Sequence, residues 1–237
     1  MINQQLKSLI KELGLRIPDA RLLLIDRFID LFIEKNKSIN LTKINNREEF
    51  LIKHIIDSLI LDKYVDIKPN TQVADLGTGG GLPGLLLAIL HPDSRFTLID
   101  SVQKKIRCVK EFASQLKLNN VTGLSDRLEE LGQNKKYRES FDIVLARALA
   151  SLPVLLELAI PLVKTGGIFV AMKGPNYSEE VSIAGIAMKQ LKIEAPNIEK
   201  YELPEGMGSH YLLIFKKDKP TPNAYPRRVG VPNKSPL

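Results

Sequence analysis

The sequence has almost no cysteine and no long apolar stretch. Cys108 is the one cysteine among 237 residues, which excludes an internal disulfide and gives no cysteine-based metal cluster. No run approaches the roughly 20 apolar residues that cross a bilayer. The N-terminus lacks the basic, apolar and small-residue order of a secretory signal. We therefore expect a cytoplasmic protein with no membrane partner and no metal.

The sequence contains no internal repeat, and its composition is that of an ordinary globular protein. The chain is 44% hydrophobic and 26% charged, as is typical of a packed soluble domain. Lysine and arginine outnumber the acids by 34 to 27, which gives a formal net charge of +7. A basic excess favours a polyanionic partner, although proteins without one also show it. Nothing indicates an oligomer, and a monomer is the expectation.

Much of the basic charge lies at the end of the chain. Residues 216–237 contain six basic residues, one acid and five of the fourteen prolines. We name residues 218–237 the C-terminal segment and expect it to stay extended and unpacked, because proline removes hydrogen-bond donors. Its arginines, Arg227 and Arg228, are candidate phosphate contacts. A purely solubilising role is the alternative.

Residues 1–65 contain helical patterns and no strand or glycine turn. Leu6, Leu9 and Leu13 recur at helical spacing up to Gly14, and a second helix opens at residues 18–19. Residues 36–42 break that pattern. A third helix follows, capped within residues 45–49 and continuing to Leu59. This part of the chain is predicted to be a helical cap.

Strands alternate with helices from residue 66 to residue 217, which indicates an α/β fold with a mostly parallel sheet. The predicted strands are residues 71–76, 96–100, 121–124, 141–147, 168–173, 192–203 and 210–217. The predicted helices are residues 85–90, 102–118, 152–163 and 178–191.

A glycine-rich turn follows the first strand. Gly79, Gly81 and Gly84 match the spacing of a dinucleotide fingerprint, and Asp100 lies at about the ~20-residue distance expected of a ribose-binding acid. Free N–H groups of the next helix would point at a ligand there. The glycines alone leave the choice between a dinucleotide and another nucleoside open.

Asp75 favours a ligand without phosphate. It ends the first strand immediately before the glycines, where a pyrophosphate would meet a carboxylate of the same charge. S-adenosylmethionine carries a sulfonium and an ammonium instead. We therefore predict that Asp75 and the turn hold the methionine end of S-adenosylmethionine, with Asp100 accepting hydrogen bonds from the ribose hydroxyls.

Several further motifs resemble one family, the bacterial 16S rRNA guanine-N7 methyltransferases, also called glucose-inhibited division protein B. The resemblance extends from about Asn36 to the C-terminus. The motifs are residues 53–58 (KHIIDS), 75–84 (DLGTGGGLPG), 98–101 (LIDS), 127–130 (RLEE), 146–152 (ARALASL) and 225–228 (YPRR). The resemblance implies a Rossmann-like class I S-adenosylmethionine-dependent methyltransferase fold: a seven-stranded sheet over residues 66–217, the helical cap and the C-terminal segment.

The activity implied by the resemblance is methyl transfer to guanine N7 of 16S rRNA near the decoding centre. Either naked rRNA or the small ribosomal subunit would be the substrate. N7 carries a lone pair and no proton, so no general base is needed and alignment supplies most of the catalysis. The sequence agrees with this chemistry, because Cys108 is expected at a core-facing position of a helix and not where a catalytic nucleophile would lie.

The family match also assigns cofactor-binding positions. Gly77, Gly79 and Leu82 would line the methionine and adenosine side of the turn. Leu128 and Glu129 would lie over the adenine, where an apolar contact and a polar group at the ring edge suit a flat heterocycle.

Arg147 is the candidate catalytic residue, because it ends the fourth strand beside the transfer site. It would hold the cofactor carboxylate or donate to guanine O6 and N7; a surface salt bridge is the alternative. His54 is a candidate substrate contact or a plain hydrogen-bonded histidine one turn from Asp57. Lys173 would meet phosphate, and RNA would contact Arg227 and Arg228.

Two other functional classes stay open on the sequence. One is an NAD-dependent oxidoreductase, which Asp75 and the lack of a catalytic Tyr-Lys or histidine constellation disfavour. The other is an RNA-binding protein with a vestigial cofactor fold. We also predict that removing the chain after Lys219 lowers RNA affinity and leaves cofactor affinity unchanged.

Overall fold

A computed structural model describes residues 2–44 and 46–237. Its centre is a seven-stranded sheet in the order β3-β2-β1-β4-β5-β7-β6. Strands β1 to β5 pair in parallel, whereas β7 is antiparallel to both β5 and β6. The strands are β1 Gln72–Leu76, β2 Arg95–Ile99, β3 Val121–Leu124, β4 Phe141–Arg147, β5 Val163–Lys173, β6 Asn197–Glu202 and β7 Ser209–Lys216.

Helices cover both faces of this sheet. The α-helices are α1 Gln4–Glu12, α2 Asp19–Ile39, α3 Arg47–Phe50, α4 Asp57–Leu59, α5 Leu61–Tyr64, α6 Gly84–Leu90, α7 Gln103–Gln115, α8 Leu128–Gln133, α9 Leu152–Ala159, α10 Tyr177–Ile183, α11 Gly185–Leu191 and α12 Val231–Lys234. A π-helix, Leu51–Ile56, joins α3 to α4, and short 3₁₀ turns occupy Ile160–Leu162 and Pro204–Gly206.

Two apolar cores form because successive side chains of a strand point to opposite faces. Val73 and Leu145 belong to the core shared with α1, α2, the π-helix, α6 and α7. Ala74 and Val144 belong to the core shared with α8, α9 and α11. The N-terminal helices therefore pack into the same core as the sheet, and the proposed division at residue 65 stays a prediction.

The second predicted helix extends further than its sequence pattern indicates. Residues 36–42 are predicted to interrupt it, but α2 continues to Ile39 and ends where Asn40 takes a left-handed conformation, φ 54°. The Asn36 amide both donates to and accepts from the backbone of Thr42, which holds the departing chain against the helix. Asn46 caps α3, and Asn45 lies outside the described residues.

Two other boundaries differ from the sequence predictions. Strand β5 begins at Val163 rather than at Ile168, because Phe141 of β4 already pairs with Val163. The helix predicted over residues 178–191 is two helices, α10 and α11, that meet at Ala184.

The prediction that the C-terminal segment does not pack is wrong. The Arg227 guanidinium is ion-paired with Glu157 of α9 at 2.6 Å, and Glu157 is fully buried. Arg138 donates to the backbone carbonyls of Thr221 and Tyr225 at 2.9 and 2.8 Å. Proline-rich composition disfavours regular hydrogen bonding, but Arg138 satisfies two carbonyl groups of the segment and the Arg227–Glu157 ion pair anchors it.

Among the described residues, no helix combines the length and the apolar character that crossing a bilayer requires. In the same part of the chain, no three histidine, cysteine, aspartate or glutamate side chains cluster as metal ligands would.

Candidate functional site

The candidate site lies where β1, β2 and β4 end. The strand order reverses between β1 and β4, and ligands of open α/β sheets bind beside such a point, outside the carboxyl ends of the strands. Two cavities open there. The β2-side cavity, about 360 Å³, is lined by Asp100, Leu128 and Glu129. The β4-side cavity, about 510 Å³, is lined by His54, Asp57 and Arg147.

The two cavities share a border at Gly77 and Ala148. Gly77 has φ +66°, and a Cβ added to it would lie 2.6 Å from the Leu149 side chain. Glycine therefore meets both the backbone conformation and the space available there. Ala148 also has a positive φ, 51°, which for a residue with a Cβ is strained backbone beside the site.

Asp75 supports the glycine turn from beneath. Its Oδ2 accepts from the Thr78 hydroxyl at 2.6 Å and from the Gly84 N–H at 2.9 Å. Burial raises the pKa of Asp75 to about 6, against the hydrogen bonds from Thr78 and Gly84 that lower it. Asp75 is 1% exposed and lines neither cavity. Its structural position is that of a brace for the turn.

Asp100 connects the turn to the β2-side cavity. One carboxylate oxygen accepts from the Gly79 N–H at 3.1 Å and the other from the Val102 N–H at 2.9 Å. Each carboxylate oxygen has two lone pairs, so acceptor capacity remains on both. Leu128 and Glu129, at the start of α8, form another wall.

A buried carboxylate organises the β4-side cavity. One oxygen of Asp57 accepts from Arg147 at 3.0 Å. The other accepts from the Tyr201 hydroxyl at 2.7 Å and lies 3.1 Å from His210 Nδ1. Burial would raise the pKa of Asp57, but hydrogen bonds and charges from His210, Arg147 and Tyr201 outweigh it and lower the pKa. Asp57 is therefore ionised and holds Arg147 at the cavity.

His54 lies in the π-helix one turn before Asp57. Its Nε2 is 2.9 Å from the Thr42 hydroxyl. Burial, together with the charge of Arg147, lowers the pKa of His54 to about 4. The imidazole is therefore neutral at neutral pH, and it contributes a hydrogen-bonding group to the cavity rather than a charge.

Lys173 ends β5 at the rim of the same cavity. Its ammonium donates to Glu180 of α10 at 2.7 Å and to the Ala150 carbonyl at 2.9 Å. Glu180 also accepts from the Leu152 N–H at 2.8 Å, at the start of α9. Lys173 thus joins β5, α9 and α10 and has partners within the protein.

The structure brings most of the predicted site residues together. Gly77, Asp100, Leu128 and Glu129 line the β2-side cavity. His54, Gly77, Gly79, Leu82, Arg147 and Lys173 line the β4-side cavity. Asp75, Arg227 and Arg228 line neither. The two arginines lie with Glu129 around a separate cavity between α8 and the C-terminal segment.

The sequence predictions missed four polar residues whose side chains bind Asp57, His54 or Lys173. Tyr201 and His210 hold Asp57, Thr42 binds His54, and Glu180 binds Lys173. No spacing in the sequence points to the partners of Asp57, because Tyr201 lies 144 residues further along the chain. The β6–β7 pair brings them to the site.

The β2-side cavity fits a nucleoside. Leu128, Leu149 and Leu158 supply apolar contact for a flat ring, and Asp100 offers acceptor capacity to ribose hydroxyls. A dinucleotide pyrophosphate at the turn would approach the carboxylate of Asp100, which has the same charge, whereas a cationic ligand would not be repelled by it. The apolar walls and the carboxylate acceptor therefore suit S-adenosylmethionine.

Comparison with known proteins identifies the family. A family model described as rRNA small subunit methyltransferase G (GidB) matches residues 21–206. The chain belongs to this family. A relative in Desulforamulus reducens, named ribosomal RNA small subunit methyltransferase G, is 40% identical over 232 residues, 98% of this chain and 97% of the relative. A Bacillus subtilis relative of the same name is 38% identical over 234 residues, 99% and 98% of the two chains.

Solved structures agree with the family in their fold. A predicted O-methyltransferase from Agrobacterium tumefaciens superposes with a TM-score of 0.56 at 17% identity, covering 69% of this chain and 81% of that one. An S-adenosylmethionine-dependent O-methyltransferase from Thermotoga maritima gives 0.54 at 13% identity, covering 81% and 73%. The Rossmann-like methyltransferase fold, the family resemblance and the enzyme class predicted from the sequence are confirmed.

Proposed function

We propose that this member of the rRNA small subunit methyltransferase G family transfers a methyl group from S-adenosylmethionine to N7 of a guanine in 16S rRNA. The observation that carries this proposal is the pair of cavities that meet at Gly77. One has the walls of a nucleoside site. The other places an arginine held by a buried carboxylate beside the same turn.

The cofactor side of the proposal rests on the β2-side cavity. Asp100 would hold the ribose, and Leu128 would contact the adenine ring. Gly77 and Leu82 would line the passage to the β4-side cavity, and Asp75 would act through the turn that it braces. When bound, S-adenosylmethionine supplies an electrophilic methyl group on a sulfonium sulfur.

The guanine side rests on the β4-side cavity. The N7 lone pair takes the methyl group, no proton is released, and the positive charge passes from sulfur to the purine. The neutral His54 and the ion-paired Arg147 therefore need not accept a proton. Their role is to orient the guanine and to exclude water.

Arg147 is the residue on which turnover depends most in this proposal. Its Nη1 donates to Asp57, which fixes one edge of the guanidinium and leaves further N–H donors for a ligand. Those donors suit either the O6 and N7 edge of guanine or the carboxylate of the cofactor. Tyr201 and His210 act indirectly by positioning Asp57.

The test uses undermethylated rRNA, supplied both naked and within small subunits, with mass spectrometry of the nucleosides. We expect 7-methylguanosine as the product and loss of most turnover in Arg147→Ala with circular dichroism unchanged. The control is Arg27→Ala, an exposed position on α2 that lines neither cavity. Methylated cytosine or adenosine as sole product would refute the proposal. A chain that binds RNA but does not bind S-adenosylmethionine would favour the vestigial RNA-binding alternative.

A further inference from the structure

The C-terminal segment is attached to the sheet domain through an arginine fork. Arg227 Nε donates to one oxygen of Glu157 at 2.9 Å, and its Nη2 donates to the other at 2.6 Å. Glu157 is 0% exposed. A bidentate pair with a fully buried carboxylate fixes position and orientation. The segment is thus anchored to the folded domain at Arg227.

The same segment packs closely on α8. A Cβ added to Gly132 would lie 2.6 Å from Pro226 Cγ, so the absence of a side chain at residue 132 lets the segment approach the helix. Gln133 Nε2 donates to the Pro226 carbonyl at 2.8 Å. Because α8 also carries Leu128 and Glu129, the segment is held against the element that forms a wall of the β2-side cavity.

Beyond Pro226 the segment reaches that cavity directly. The Gly230 N–H donates to Glu129 Oε1 at 2.9 Å. Glu129 is 3% exposed, and this bond occupies one of its oxygens. The short helix α12 follows, and its Asn233 lines the β2-side cavity together with Asp100 and Leu128.

Asn233 differs in chemistry from the other polar side chains there. It is the one side-chain amide among the described residues that line the cavity; charged groups supply most of the other polar atoms. An amide carries a donor and an acceptor side by side. The edge of adenine presents the complementary pair, which is why asparagine pairs with adenine in nucleic-acid recognition.

We propose that the C-terminal segment forms a wall of the adenosine site and that the Asn233 amide hydrogen-bonds the edge of the cofactor's adenine. This inference rests on the proposed function, since it takes the β2-side cavity as the nucleoside site. It makes the end of the chain a contributor to cofactor recognition, anchored by Arg227 and joined to α8 by Gly230.

The consequence contradicts one expectation from the sequence. From the sequence, in which the C-terminal segment is expected to be unpacked, removal of the chain after Lys219 is predicted to leave cofactor affinity unchanged. With Asn233 in the cavity wall and Gly230 bonded to Glu129, the same removal weakens cofactor binding.

The binding test uses the full chain, S-adenosylhomocysteine and isothermal titration calorimetry. We expect Asn233→Ala to weaken binding about 5- to 20-fold, the effect of losing hydrogen bonds to a bound ligand. The matched control is Lys234→Ala, an exposed neighbour that lines neither cavity; it should bind within twofold of the parent chain.

A second ligand separates recognition of adenine from a general loss of structure. S-inosylhomocysteine replaces the adenine amino group by oxygen, so that the edge it forms with N7 carries two acceptors and can bond to only one side of the amide. The parent chain should prefer the adenosyl ligand, and Asn233→Ala should lose most of that preference. Equal preference in parent and variant, with equal affinities, would overturn the inference.

Hydrogen exchange of the unmodified protein supplies a measurement that needs no variant. S-adenosylhomocysteine should slow amide exchange in peptides that cover residues 228–235. Unchanged exchange there, in a sample saturated with the ligand, would contradict the inference while leaving the proposed function intact. Failure of the parent chain to bind S-adenosylhomocysteine at all would count against the proposed function itself.

Discussion

At the scale of single residues, the site depends on ionisable groups whose pKa values are displaced in different directions. Burial and the neighbouring Arg147 lower the pKa of His54 to about 4. Burial raises the pKa of Tyr201, as do the charge and the hydrogen bond of Asp57, so its hydroxyl stays a donor to that carboxylate. His54 is therefore a neutral imidazole and the Tyr201 phenol is neutral, while Arg147 and Lys173 are paired with Asp57 and Glu180. This arrangement suits a reaction without proton transfer.

The first prediction concerns the pH dependence of stability at His54. Its native pKa of about 4 lies below the ordinary value of 6.5, so the unfolded chain binds the proton first as the pH falls. The contribution of neutral His54 is complete above pH 6.5 and is lost progressively toward pH 4, on the order of 3 kcal/mol in total. When the pH is lowered from 6.5 to 4.5, the free energy of unfolding of His54→Gln should therefore fall less than that of the parent chain.

Urea unfolding at a series of pH values measures this difference. Lys43→Gln, an exposed position close in sequence, is the control and should follow the parent chain. Proton NMR of the imidazole tests the cause directly, because the His54 resonance should titrate near pH 4. A midpoint near 6.5 would show that the ring is not held neutral by its surroundings.

At the scale of elements, the turn between β1 and α6 is held on two sides. Asp75 Oδ2 binds Thr78 and Gly84 from beneath, and Asp100 binds the Gly79 N–H from β2. The π-helix Leu51–Ile56 has a similar role on the other side of the site, since it carries His54 and leads into Asp57. Hydrogen bonds between elements thus shape the site as much as the glycines do.

The second prediction follows from the brace. Asp75→Ala removes both hydrogen bonds to the turn and should weaken S-adenosylhomocysteine binding about 10- to 100-fold, whereas Thr78→Val removes one and should cost about fivefold. The fold should survive. Because the native pKa of Asp75 is raised to about 6, the ionised carboxylate opposes folding above that pH, and its removal offsets part of the lost hydrogen bonding.

Calorimetric titration of both variants, with melting curves as a check on folding, decides the matter. Cofactor affinity equal to the parent chain in Asp75→Ala would mean that the turn keeps its shape without the brace. A larger loss in Thr78→Val than in Asp75→Ala would assign Thr78 a role of its own.

At the scale of the whole molecule, distant segments close around the sheet. A cluster of aromatic rings, Phe28, Phe32, Phe50 and Phe112, joins α2, α3 and α7. A Cβ added to Gly80 would lie 2.3 Å from the Phe32 ring. The N-terminal helices thus touch the glycine turn itself. On the opposite face, α9 receives the C-terminal segment through Glu157.

The third prediction tests that docking. Arg227→Met leaves the carboxylate of Glu157 buried and unpaired, and should lower the free energy of unfolding by about 3–5 kcal/mol. Arg228→Met is the matched control. Arg228 is exposed, and the ion pairs of the described residues do not include it, so its loss should change stability by less than about 0.5 kcal/mol.

Chemical denaturation of the two variants measures this contrast, and equal stabilities would mean that the segment is not docked in solution.

The RNA-binding prediction for the segment stays a prediction. It now rests on Arg228 and the exposed lysines, since Arg227 is committed to Glu157. For every phosphate that the segment no longer neutralises, the salt slope of RNA affinity should fall by roughly 0.7 to 0.9.

The sequence alone predicted most of the elements, and most of the residues that it named as site candidates line one of the two cavities. Strands β1, β3 and β4 were predicted within a residue or two, because alternating apolar patterns and turn residues act over short stretches of chain. The glycine turn and the strand-end acids also lie close together in sequence. Local signals of this kind led to the methyltransferase fold, and the family motifs led to the choice of cavity-lining residues.

The tertiary structure alone decided which partner each residue has. Asp57 meets Arg147 across 90 residues and Tyr201 across 144, and Arg227 meets Glu157 across 70. No local pattern encodes contacts of that range, because they arise only when the sheet brings its strand ends together. For the same reason a proline-rich basic segment proved to be folded: a buried carboxylate, remote in sequence, determines where it packs. The partners of Asp75, Thr78 and Gly84, are local, but only the folded turn shows that its carboxylate is buried beneath the glycines.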